Sequence, residues 1–149
     1  MIAKHDPNTV FITQDFAMKW EPDEFRQSQL DWYAQTGISW EIVVFSYPVF
    51  EDGNWHMKNQ VYVCIVDGHV SQDWVTVMAI FRFCCDTFAK ANPHITKAWA
   101  RSDNAVCYHS EATMRAMWSN RKFRQMELLG YKFSAASDGK SKVSLFLIY

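Results

Sequence analysis

The sequence predicts one α/β domain with its strands in a mixed sheet. Three observations lead there: β-branched and aromatic runs early in the chain, two of them joined by a tight turn; one long apolar pattern at helical spacing; and a further strand-like run after it. Three early strands followed by a crossover helix and a fourth strand suit a sheet in which the fourth lies parallel beside the first. The 149 residues are 49% hydrophobic and 21% charged with only five Gly, which fits a single packed domain and excludes a disordered or fibrous chain.

Residues 9–13 form a short strand-like run that ends at Gln14 and Asp15. After Pro22, residues 24–35 read as a helix closed by Gly37. Residues 38–50 and 60–66 are two strand-like runs around Glu51, Asp52, Gly53 and Asn54, the pattern of a β-hairpin. The clearest helix covers 71–91. Ser71 is its expected N-cap and Asp73 favours its first turn, while Trp74, Met78, Phe81, Cys85 and Phe88 are expected to pack on the sheet until Pro93 stops the helix. Residues 95–100 then read as a strand ending at Arg101, Ser102 and Asp103. A second helix is expected from Ser110 through Met114, Met117, Trp118 and Met126 to Gly130, its polar face basic with Arg115, Arg121, Lys122 and Arg124. Residues 143–149 are apolar and strand-like.

Net charge is −1, unevenly spread. Residues 1–93 hold six Lys/Arg against twelve Asp/Glu, and residues 94–149 hold nine against four, so the C-terminal part is suited to facing a polyanion such as DNA or to presenting a solvated helix surface. Cys64, Cys84, Cys85 and Cys107 show no paired C-x-x-C framework and follow no signal peptide, which points to an intracellular chain, nuclear or cytoplasmic, with ordinary buried thiols rather than a zinc site. No apolar run is long enough for a membrane span. The seven Trp are spread along the whole chain, which favours core packing over a base-stacking platform.

Asp15 and Asp103 are the candidate chemical residues. They lie 88 positions apart, yet both follow strand-like runs that a parallel pairing would bring to neighbouring strands about 4.8 Å apart. Two carboxylates at one sheet edge suit hard divalent cations, which take oxygen ligands. An Asp at a strand end also serves as a turn former or helix cap.

Three runs carry a family resemblance. They are Gln14-Asp15-Phe16-Ala17-Met18-Lys19-Trp20; Gln29-Leu30-Asp31-Trp32-Tyr33 with Gly37-Ile38-Ser39-Trp40; and Arg101-Ser102-Asp103-Asn104-Ala105-Val106-Cys107-Tyr108-His109-Ser110. Together, over residues 9–134, they resemble a family of transposase-derived animal proteins with a DDE-type, ribonuclease H-like catalytic core. The resemblance implies a ribonuclease H-like mixed sheet flanked by helices and one domain over 1–149, incomplete at its C-terminal end. It implies Asp15 and Asp103 as metal-binding carboxylates and Mg²⁺ or Mn²⁺ as cofactor. In the family a cysteine-aspartate-arginine motif offers the third acid; here Phe133-Ser134 and Gly139-Lys140 keep part of the preceding pattern, but Val143-Ser144-Leu145 stands in that motif's place. Ser144 supplies no carboxylate. Asp138, 35 residues after Asp103, is the remaining candidate catalytic residue, in a Ser-Asp-Gly turn.

The expected function is therefore a remnant or domesticated DDE transposase domain, impaired in catalysis, with DNA as its partner. An active metal-dependent strand-transfer nuclease and a protein-interaction domain unrelated to nucleic acid are the alternatives.

Overall fold

A computed structural model describes residues 6–20, 38–66 and 70–134. Its elements are β1 (Thr9–Trp20), β2 (Ile38–Glu51), β3 (Asn54–Val66), α1 (Trp74–Ala91), β4 (Lys97–Ser102), α2 (Val106–His109), α3 (Glu111–Ser119), β5 (Lys122–Phe123) and β6 (Met126–Phe133). Among the described residues the strands form one mixed sheet in the order β3-β2-β1-β4-β6-β5. β1 is antiparallel to β2 and parallel to β4, in the register Thr9↔Lys97 to Gln14↔Ser102. The expected α/β class and the parallel first and fourth strands are both present. The helix expected over 24–35, the strand expected over 143–149, and Asp138, Gly139, Lys140 and Ser144 lie outside the described residues.

The β2–β3 hairpin turns at Asp52 (φ 51°) and Gly53 (φ 78°), the two positive φ values that a two-residue turn between twisted strands requires. β3 begins earlier than its apolar run, at Asn54, because the whole of β2 offers it a pairing partner down to Glu51↔Asn54. β1 likewise runs beyond residue 13 to Trp20, held by pairing to β2 as far as Trp20↔Ile38. Asp15 therefore sits within a strand and not at its end.

The core lies between α1 and one face of the sheet. Val10 and Ile12 of β1, Val43, Phe45 and Tyr47 of β2, and Ala98 and Ala100 of β4 alternate inward and join Phe81, Cys84, Cys85 and Phe88 of α1 in one buried cluster. Phe45 stacks on Phe88 at 4.3 Å, and Phe81 meets Phe123 edge-on at 5.7 Å. The N-cap of α1 is Asp73 and not Ser71: its Oδ1 accepts from the backbone N–H groups of Val75 and Thr76, both at 3.0 Å, while the Ser71 hydroxyl donates to Asp73. The buried stripe starts at Val77, so Trp74, expected in the core, is exposed in the first turn.

The second long helix does not form as expected. Ser110 caps α3 through the Thr113 N–H, but the helix ends at Asn120, which bonds the Ala116 carbonyl through its backbone and its side chain. Residues 122–133 make a β5–β6 hairpin that docks parallel to β4. The physical reason is periodic: Met117 and Met126 are nine residues apart, two and a half helical turns, and so would face opposite sides of a helix. Phe123, Met126 and Leu128 are all buried in strands instead.

The tryptophans also depart from expectation. Trp55, Trp74, Trp99 and Trp118 are all exposed. Trp55 is on the edge strand β3, and Trp99 is on the sheet face turned away from α1, together with Phe11, Val61, Val63 and Ile65. No described helix is long and apolar enough to cross a membrane.

Candidate functional site

The parallel pairing of β1 with β4 decides where the two predicted aspartates meet. Gln14 is the register partner of Ser102, so Asp15 and Asp103 occupy the next position on each side. Parallel strands are held about 4.8 Å apart, which turns 88 residues of sequence separation into one lattice spacing. Gln14 points toward the helices, where its Nε2 donates to the Tyr131 hydroxyl at 2.6 Å. Strand alternation therefore turns Asp15 to the opposite face, beside Ile42 of β2.

The carboxyl of Asp15 is pushed up to about 6, first by burial and next by the negative charge of Asp103, against the lowering effect of the Phe16 N–H. Asp103 follows directly on β4, and its Oδ1 accepts from the Ala105 N–H at 3.0 Å, forming the turn that leads into α2. It thus combines the turn-forming role with proximity to a second carboxylate.

A third acid was missed by sequence reasoning. Glu41 is the β2 partner of Phe16, on the helix side, fully buried, and neither of its carboxyl oxygens has a hydrogen-bond partner. Burial, then the charge of Asp15, pushes its carboxyl up to about 8. The available signal was its position: a lone acid between Trp40 and Ile42 in an otherwise apolar run buried on both faces. Around it stand Cys64, its cross-strand partner on β3, and Tyr108 of α2, whose ring lies 6.0 Å from that of Phe16. Glu41 and Asp15 lie on opposite faces, so they do not make one site. Among the described residues no group of three or more His, Cys, Asp or Glu side chains is placed to hold a metal ion.

The four cysteines are free thiols. Cys64 and Cys84 bring their sulfurs to 3.7 Å, and burial raises the thiols of Cys84 and Cys85. The basic residues do not share one helix face, because Lys122 lies on β5 and Arg124 in the turn after it. Arg115 pairs with Glu111 at 2.6 Å, and Arg121 pairs with Glu127 at 3.0 Å while stacking 4.6 Å over the Trp118 ring. Arg82, Trp118, Asn120, Arg121 and Lys122 line an open groove of about 430 Å³.

Comparison with protein-family models and with curated proteins returned no match.

Proposed function

We propose that this chain is a ribonuclease H-like domain derived from a DDE-type transposase, impaired in catalysis, with Asp15 and Asp103 as its Mg²⁺ or Mn²⁺ ligands and DNA as its partner. The observation that carries the reading is the β1–β4 register, which puts two distant aspartates at adjoining positions of neighbouring parallel strands. Their chemistry fits the cation: both offer hard oxygen donors, and the negative charge of Asp103, which adds to burial in raising Asp15, is the kind a divalent ion relieves. A cation bound there would polarise a phosphate oxygen and favour attack by water or a 3′-hydroxyl. The resemblance assigns the third acid to the position of Ser144, which has no carboxylate, and leaves Asp138 as the substitute ligand.

Two carboxylates position cations poorly, because transition-state stabilisation in phosphoryl transfer depends on fixed charge at fixed places. Weak Mn²⁺ binding that Asp15→Asn and Asp103→Asn each reduce, with little or no cleavage of labelled DNA, is the expected result. Robust Mn²⁺-dependent cleavage abolished by both substitutions would establish an active nuclease, with Asp138→Asn then identifying the third ligand. Unchanged Mn²⁺ binding in both variants would overturn the site altogether.

A further inference from the structure

On the helix side of the sheet, three buried side chains present oxygens that nothing among the described residues satisfies. They are both carboxyl oxygens of Glu41 on β2, Oε1 of Gln14 on β1 and the hydroxyl of Tyr108 on α2. Glu41 and Gln14 are 0% exposed and Tyr108 is 1% exposed, so bulk water does not supply the missing partners. The three belong to one neighbourhood. Glu41 lies opposite Phe16, two residues along the same face from Gln14, a diagonal relation that separates strand positions by roughly 7–8 Å and is spanned by two long side chains. The Tyr108 ring packs 6.0 Å from that of Phe16, the residue opposite Glu41, while the Gln14 Nε2 donates to Tyr131 and leaves its oxygen to the interior.

We propose that the oxygens of Glu41, Gln14 and Tyr108 form an internal binding site for one alkali cation. Leaving such groups bare costs each its full desolvation penalty, so a remedy is required. A proton on Glu41 neutralises the carboxylate and supplies one O–H donor, which meets at most one of the Gln14 and Tyr108 oxygens. A hard cation takes all of them, since oxygen is the ligand such ions prefer. The charge selects a monovalent ion. One carboxylate balances one positive charge, whereas a divalent ion would leave a net charge in a dry interior, where uncompensated charge is most expensive. The groups that act on Glu41 from the neighbouring elements are Cys64 on β3, Cys84 on α1, Cys107 and Tyr108 on α2, and Tyr131 on β6, whose thiols and phenols are raised by burial and stay neutral, and the carboxylate of Asp15, which acts from the opposite face of β1 and adds to the negative potential that a cation would relieve. The site lies on the opposite face from Asp15 and Asp103 and stands independently of the transposase reading.

The test is the thermal unfolding midpoint of the whole chain at about pH 8.5, in KCl or NaCl against tetramethylammonium chloride at equal ionic strength, which cancels general screening. The alkali salt is expected to raise the midpoint by roughly 5 °C, the shift for a ligand at about ten times its dissociation constant binding only the folded state. Glu41→Gln removes the difference, Tyr108→Phe diminishes it, and Glu51→Gln, at an exposed carboxylate on the far end of the same strand, leaves it in place. At about pH 6 the proton displaces the cation and the difference shrinks. Equal midpoints in alkali and tetramethylammonium salts for the unmodified chain would overturn the proposal, as would a difference that survives Glu41→Gln or disappears in Glu51→Gln.

Discussion

Glu41 makes the stability of the fold depend on pH in a direction opposite to that of most carboxylates. Its carboxyl moves from an ordinary 4.5 to about 8 in the folded chain. Between those values the folded state holds a proton that the unfolded state has released, so stability is full below 4.5 and is lost as pH rises through about 8. Denaturant titration without alkali salt should show this decline in the native chain. Glu41→Gln should flatten it and gain on the order of a few kcal/mol at alkaline pH; an unchanged slope would place the titrating group elsewhere. Gly130 is a second decisive residue. It pairs with Trp99 across β4 and β6, and a Cβ added there would collide with Cζ3 and Cε3 of the Trp99 ring. Gly130→Ala should therefore cost roughly 1–3 kcal/mol, the range for overpacking, and should alter Trp fluorescence as the indole is displaced.

The elements differ in how openly the sequence declares them. For α1, the recurring apolar positions and the Pro93 stop are local signals, and the helix follows them with only its cap and first turn misplaced. Phe81→Ala should cost roughly 3–5 kcal/mol, since the ring is fully buried, and Asp73→Ala about 1 kcal/mol through loss of the cap; a negligible change in unfolding midpoint for Phe81→Ala would mean that this face is not the core. The β5–β6 hairpin was hidden because its apolar residues sit beyond a helix with a similar composition, and only the half-turn phase error between Met117 and Met126 betrays the change of period. Arg124 occupies a positive φ of 55° in its turn. Arg124→Gly should thus stabilise the chain by up to about 1 kcal/mol, as the left-handed conformation costs glycine nothing; circular dichroism melts of the two proteins measure the difference.

For the molecule as a whole, charge and topology are arranged separately. The topology brings Asp15 to Asp103, while the groove beside the exposed Trp118 carries Arg82 and Arg121, paired with Asp86 and Glu127, together with Lys122. If DNA is the partner, its affinity should fall with added salt as phosphate contacts release counterions, and Lys122→Ala should weaken binding to all sequences alike and reduce the logarithmic salt slope by about 1. Salt-independent binding of a protein ligand at the same surface would favour an interaction domain instead.

Composition and periodicity alone were enough to establish an α/β chain, a hairpin after residue 38, the helix before Pro93, and two aspartates whose strands could be neighbours. These properties depend on local spacing, which is written in adjacent residues. Which side of the sheet each acid occupies was not legible, because it depends on how β1 continues past residue 13 and in what register β2 receives it. That register sends Asp15 to one face and Glu41 to the other. The burial of Glu41 likewise emerges only when β2 is flanked by β1 and β3 and covered by helices packed from 33 or more residues further along the chain. Burial and the sharing of charge between distant residues are properties of assembled neighbours, and neighbours are what tertiary pairing creates.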